Sequence, residues 1–292
     1  MYKMLVLFIF ILINSIVVGQ NKATKKAQPI VEEGKRLYKS EMASWYGTDI
    51  FRKKYKTPEK MGGYFSFTKG EITKCVFFSQ EEKPKVLGMV SFKGEVLLEN
   101  SELSMEEREL TDLENSYYTL RKNTLIELEK DTIFQFYQNT RPNIIPIIEG
   151  GRKRVYIMTA PTVSGIVIFG NDYLLTFNKN NEVLTKKALH QNIIPIEYSD
   201  DEKEDSSYHL HSDETEQHIT ATDICTLMLY GKYTKWKQHN VHSDDYLSMW
   251  NCESNKLVVM PQKTLDDIYK DQEKRKEVKD KSAKETKNRK KR

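Results

Sequence analysis

Two histidines one residue apart, in Tyr208-His209-Leu210-His211, are the residues of this chain best spaced for chemistry. Side chains alternate between the faces of an extended strand, so an H-x-H pair sets both imidazoles on one side. Both can then approach one ion. A little further on, Thr220-Ala221-Thr222-Asp223 places a hydroxyl residue three positions before an acid. That spacing opens helices, with Thr220 as the N-cap and Asp223 in the first turn. Alone, the pair reads as a cap and nothing more. Set opposite an H-x-H strand, the Asp223 carboxylate completes a two-histidine, one-carboxylate set. Catalytic Zn2+ uses such a set and keeps its fourth position for water. His209, His211 and Asp223 are therefore the candidate metal ligands, and Zn2+ the implied cofactor.

Hydrolysis at such an ion has a further requirement. Zinc brings the pKa of bound water to about 7, and a nearby carboxylate must move the proton. Without it, roughly 10²–10⁴-fold of acid–base assistance is lost while the ion still binds. Glu149, at a strand end before Gly150-Gly151, reads on its own as an acid in a solvent turn, and Asp172 is another acid in the same half of the chain. The other histidines carry weaker signals. His190 reads as an ordinary loop residue and His218 as an exposed one, while His239 and His242 sit beside a later strand.

The elements that must position these groups follow from the pattern. A polar linker (20–30) precedes a short helix, Val31 to Met42, which runs into Ser44-Trp45-Tyr46-Gly47. Gly63 to Phe67, Thr73 to Ser79 and Val86 to Phe92 are aromatic and β-branched runs split by turns, which predicts an antiparallel meander with Cys75 in its middle strand. Ser104-Met105-Glu106-Glu107 has capping-box spacing and predicts a long amphipathic helix through Leu110, Leu113, Tyr117, Leu120 and Ile126. Strands follow at Ile144–Ile148, Arg154–Thr159, Ser164–Phe169, Asp172–Phe177, Glu182–Leu189 and Ile193–Tyr198. The H-x-H strand emerges from the acidic loop 199–207. A helix from Thr220 to about Tyr233 comes next, and Tyr246–Asn251 and Leu257–Met260 close the fold. The expected class is α+β: a β-rich N-terminal region (31–102), then a domain of long helix and mixed sheet (103–265). A charged tail (266–292) is expected to be a frayed helix or disordered.

Met4 to Val18 is almost wholly apolar after a basic start and ends in small residues, which reads as a signal peptide over 1–19. Export to the periplasm or beyond the cell is the corresponding expectation. At 38% hydrophobic and 11% aromatic, the composition is that of a folded chain. The net charge of +4 is concentrated at one end, since Asp271 to Arg292 carries eleven Lys/Arg against five Asp/Glu. The remainder is slightly acidic, which argues against nucleic acid as a partner. The tail instead suits contact with an anionic envelope surface. Three cysteines allow at most one internal disulfide, and the absence of C-x-x-C excludes a cysteine-rich zinc site.

The succession of long helix, strands, H-x-H strand, loop, T-x-x-D helix and closing strands resembles the JAMM/MPN family of zinc metallopeptidases, over roughly Leu103 to Met260. The family pattern is H-x-H-P, a short loop, then S-x-x-D. The resemblance implies that His209, His211 and Asp223 bind zinc and that Thr220, in the serine position, supports the oxyanion. It also implies an upstream glutamate as general acid/base, a role for which Glu149 is the candidate. Ser212 replaces the proline, Thr220 replaces the serine, and the loop is about one residue longer. No upstream glutamate matches a family motif. The whole chain also resembles a group of uncharacterised exported bacterial proteins, which adds no function. Two readings follow. One is an exported metallopeptidase or isopeptidase acting on a peptide or protein substrate. The other is a non-catalytic envelope protein that keeps the fold for binding.

Overall fold

A computed structural model describes residues 22–190, 192–199, 205–211 and 217–289. The expected signal peptide and most of the acidic loop lie outside them. The class is α+β, as the sequence predicts. Helix α1 (Lys22–Lys54) leads into the meander β1 (Met61–Lys69), β2 (Ile72–Ser79) and β3 (Lys85–Lys93), with β4 (Ser101–Ser104) and β5 (Arg108–Glu109) both paired to β3. Helix α2 (Asp112–Lys130) precedes a four-stranded antiparallel sheet in the order β10-β9-β7-β6. Its strands are β6 (Thr140–Glu149), β7 (Arg152–Pro161), β9 (Tyr173–Phe177) and β10 (Val183–Ala188). Strands β8 (Ile166–Gly170) and β11 (Ile193–Glu197) pair with each other. The last sheet is β12 (Ser206–Leu210), β13 (Gln238–His242), β14 (Tyr246–Asn251) and β15 (Lys256–Pro261), with helix α3 (Ala221–Tyr230) between β12 and β13. Helix α4 (Gln262–Arg289) ends the described chain.

Two expectations fail at the N-terminal end. Where the sequence predicts a linker, α1 is already helical, and it passes through Pro29 without stopping. A proline inside a helix removes one hydrogen bond and crowds the preceding turn, at a cost of about 3 kcal/mol. Burial offsets it. Ala27 and Val31 pack into one core with Phe169, Ile224, Trp250 and Val259, Leu37 and Met42 into a second with Ile145, Tyr156 and Cys225, and Ala43 and Phe51 into a third with Cys75, Phe77 and Val90. At about 1.5 Å per residue, α1 is a rod of about 50 Å that joins both halves of the molecule.

The second failure is at Ser104, which ends a strand; its hydroxyl accepts from the Glu106 N–H at 3.4 Å. The cap lies later. The Thr111 hydroxyl accepts the Glu114 N–H, and the Glu114 carboxylate accepts the Thr111 N–H at 2.9 Å. Arg108 adds two hydrogen bonds of 2.7 Å to the same carboxylate. The box Thr111-x-x-Glu114 therefore has an external anchor that Ser104 lacks.

The tail takes the helical one of its two expected forms, and Leu265 packs on Leu247 and Met249 at the start of α4. The meander is antiparallel as expected, with Cys75 in its middle strand opposite Ser66 and Val90. All three cysteines are free, Cys75 and Cys225 buried and Cys252 partly so. No helix among the described residues is long and apolar enough to cross a membrane.

Candidate metal centre

The H-x-H pair behaves as strand geometry requires. Ser207 and His209 point inward from β12, and His211, just past its end, continues the alternation. Tyr208 and Leu210 face out and are each 66% exposed. Strand β13 runs parallel to β12, with His239 opposite Ser207 and Val241 opposite His209. Across from this sheet, α3 opens with the predicted capping box. The Thr220 hydroxyl accepts the Asp223 N–H at 3.1 Å, and Asp223 Oδ2 accepts the Thr220 N–H at 2.8 Å.

Asp223 faces the histidines with both oxygens. Its Oδ1 lies 3.7 Å from His209 Nε2 and 3.6 Å from His190 Nε2, while Oδ2 is 3.5 Å from His211 Nε2. The two Nε2 atoms of His209 and His211 are 3.0 Å apart. Ligand atoms of His190, His211 and Asp223 all lie within 4.8 Å of one another and could hold a metal ion. Two donors about 2.0–2.1 Å from a tetrahedral ion are about 3.3 Å apart. The measured separations scatter around that edge length. The carboxylate distances are too long for ordinary hydrogen bonds, and Asp223 Oδ1, fully buried, has no hydrogen-bond partner among the described residues. A buried carboxylate oxygen aimed at two imidazoles suits a shared cation.

His190 is therefore not an ordinary loop residue: it is buried and belongs to the cluster. It follows β10 on a loop that is pinned to the strand before it. Leu189 N–H donates to the Asp172 carbonyl at 2.7 Å, and Asn171 N–H to the Asn192 carbonyl at 3.1 Å. Gly170 permits this contact. It has φ +81°, and a Cβ there would lie 2.1 Å from the Asn192 oxygen. The pinning brings Asp172 Oδ2 to 3.8 Å from His190 Nδ1. Asp172 Oδ1 accepts the Thr159 N–H at 2.9 Å, and the Thr222 hydroxyl also hydrogen-bonds to this carboxylate. A carboxylate behind a ligating histidine orients the ring and makes it a better donor.

Burial sets the electrostatics. It pushes the Asp172 carboxyl up to about 6, against the pull of His190 and the hydrogen bonds it accepts. It also holds His209, and more strongly His239, below the ordinary histidine value. Both rings are therefore neutral at pH 7 with lone pairs to offer. For Asp223, burial favours the acid, but His190 and His209 beside it keep the carboxyl well below the usual range. Negative charge and neutral imidazoles are the state in which such a set binds a divalent ion.

Of the residues singled out from sequence, His209, His211, Asp223 and Thr220 converge, and Glu149 does not. Glu149 is at the exposed end of β6, bound to Arg36 Nη2 at 2.9 Å and near Arg154 at 3.6 Å. It pairs with Arg152, whereas the Thr159 N–H used by Asp172 lies opposite Pro142. Seven residues of strand separate the two levels, roughly 20 Å. The acid at the histidines is Asp172, and the solvent-turn reading of Glu149 is the one the geometry favours. The Thr220 hydroxyl is buried, engaged by the cap and 3.0 Å from the Thr222 hydroxyl. No family model matches this chain, and neither a curated protein nor a solved structure shows detectable similarity to it.

Proposed function

We propose that this is an exported zinc-binding protein whose ion is held inside the core by His190, His209, His211 and Asp223 and serves the fold rather than hydrolysis. The observation that carries this reading is the donor set: His190, His211 and Asp223 lie within 4.8 Å of one another, His209 Nε2 lies 3.0 Å from His211 Nε2 and 3.7 Å from Asp223 Oδ1, and all four residues are at most 5% exposed. Zinc sites with four protein ligands are structural, whereas catalytic ones keep a position for water. The ion would clamp α3 to β12 and to the loop after β10, three elements far apart in sequence. A JAMM/MPN-like ancestry accounts for the H-x-H and T-x-x-D pattern. On this reading the protein acts in the cell envelope as a binding module, with its basic tail toward an anionic surface.

A second reading, a metal-dependent peptidase or isopeptidase, rests on Asp172. This carboxyl, pushed up to about 6, stands behind His190 and could shuttle a proton if His190 left a position to water. Thr220 would then support the oxyanion, as the family resemblance implies.

The deciding experiment is the metal content of purified full-length protein after dialysis without chelator. Wild type is expected to hold about one equivalent of zinc, and His211→Ala almost none. A wild type that neither retains zinc nor takes it up on titration overturns the proposal. Zinc-dependent cleavage of a peptide library, lost in Asp172→Asn, would favour the second reading.

A further inference from the structure

Behind His209 the imidazoles continue into the core as a chain. His209 Nδ1 lies 2.8 Å from His239 Nε2, and His239 Nδ1 lies 2.7 Å from the Ser207 hydroxyl. His239 is fully buried, stacked on Phe169 at 4.8 Å, with Trp236 5.9 Å away. A polar ring in such surroundings needs a reason for its place. We infer that His239, held by Ser207, is a positioning residue that sets the ring orientation and tautomer of His209, and that metal loading reverses the direction of this hydrogen-bond chain.

The direction can be worked out from one end. His211 Nδ1 is 3.1 Å from the His218 carbonyl, which can only accept, so in the neutral ring Nδ1 carries the hydrogen and Nε2 presents a lone pair. His209 Nε2 is 3.0 Å from that lone pair. With no ion between them, His209 Nε2 must carry a hydrogen and donate it. His209 Nδ1 then accepts from His239 Nε2–H, and His239 Nδ1 accepts from the Ser207 hydroxyl. When both Nε2 atoms serve as ligands, His209 carries its hydrogen on Nδ1 and donates to His239 Nε2. His239 then donates from Nδ1 to the Ser207 oxygen. Each ring keeps one hydrogen throughout, so no proton is gained or lost along the chain. A serine suits the far end because a hydroxyl can both donate and accept.

This inference rests on the zinc reading, and one set of measurements separates their failures. Zinc affinity of the full chain is measured by competition with a chelator for wild type, His239→Phe, His239→Gln and Ser207→Ala. Ring-nitrogen NMR shifts of His209 are followed with and without zinc. Loss of a residue that orients a metal ligand costs about 10–100-fold in affinity. His239→Phe is expected to fall in that range. His239→Gln, whose amide can accept from His209 Nδ1, is expected to recover most of the loss, and Ser207→Ala to lose less. The His209 hydrogen is expected on Nε2 without zinc and on Nδ1 with it, and the His239 hydrogen is expected to move in the same way, a second shift that a packing role for His239 would not produce. Full zinc affinity in both His239 variants, or the same His209 tautomer in both states, overturns the inference while leaving the zinc reading intact. A wild type that binds no zinc overturns both.

Discussion

Glu33 on α1 and Asp223 on α3 are both carboxylates buried on a helix, and what faces them differs. Glu33 is met by Arg154 Nη1 at 2.8 Å, Arg36 Nη1 at 3.0 Å and the Tyr156 hydroxyl at 2.9 Å. Glu149 closes that cluster from its exposed side. Charge is balanced there by side chains alone. Asp223 is met by imidazoles, with Asp172 as a second carboxylate in the same cluster, and among the described residues no lysine or arginine pairs with either acid. Uncompensated buried charge is costly, and proteins place it where a cation arrives or chemistry needs it. The first cluster is complete as built, and the second has the composition of a binding site.

The largest expected effect tests that contrast directly. Asp223→Ala is expected to lower the stability of zinc-loaded protein by about 3–5 kcal/mol, but to cost the chelator-treated protein only the helix cap, about 1–2 kcal/mol. Glu33→Gln, measured beside it by urea denaturation, is expected to destabilise equally with and without chelator. A chelator-dependent Glu33→Gln, or a chelator-independent Asp223→Ala, would erase the distinction.

A pH comparison sharpens it. The folded Asp172 carboxyl, pushed up to about 6, prefers its proton more than an exposed aspartate does. Its contribution to stability is therefore complete below the ordinary value near 4 and is lost as pH rises through 6. In metal-free protein, Asp172→Asn is expected to gain on the order of 2–3 kcal/mol over wild type between pH 4 and pH 7. His209 and His239, held low by burial, act in the opposite sense, but both proteins share them and the difference removes them. A flat difference would show that Asp172 is ionised at no cost. The smallest effect is at Glu149, whose exposed pairs should make Glu149→Ala cost under about 1 kcal/mol with zinc content unchanged. Loss of zinc in that variant would restore Glu149 to the site.

Local patterns are readable in the sequence, and long-range meetings are not. The meander shows because its strands are dense in β-branched and aromatic residues between turns, and H-x-H shows because period-two alternation is a property of any strand. Strand β13 escapes notice because Gln238-His239-Asn240-Val241-His242 has little apolar alternation, and His239 goes unassigned with it. His190 escapes because its meeting with Asp223 depends on the loop pinned at Gly170, which no local signal reveals. The full length of α1 is hidden because Pro29 resembles punctuation at one end and Ser44-Trp45-Tyr46-Gly47 at the other. Gly34 is a crossing point: a Cβ there would lie 2.7 Å from the Ile224 side chain of α3. Small size, rather than flexibility, is what that position requires.

The long reach of α1 also bears on the order in which the molecule can be made. The Thr24 hydroxyl accepts from the Val259 N–H at 2.9 Å, across 235 residues of chain. A ribosome adding about 5–20 residues per second needs roughly 10–50 s between the two. For that interval Ala27 and Val31 are synthesised but lack the β15 face that covers them. The first helix of the described residues to be made is among the last to be buried, so the nascent chain carries an apolar stripe that must be shielded until β15 arrives.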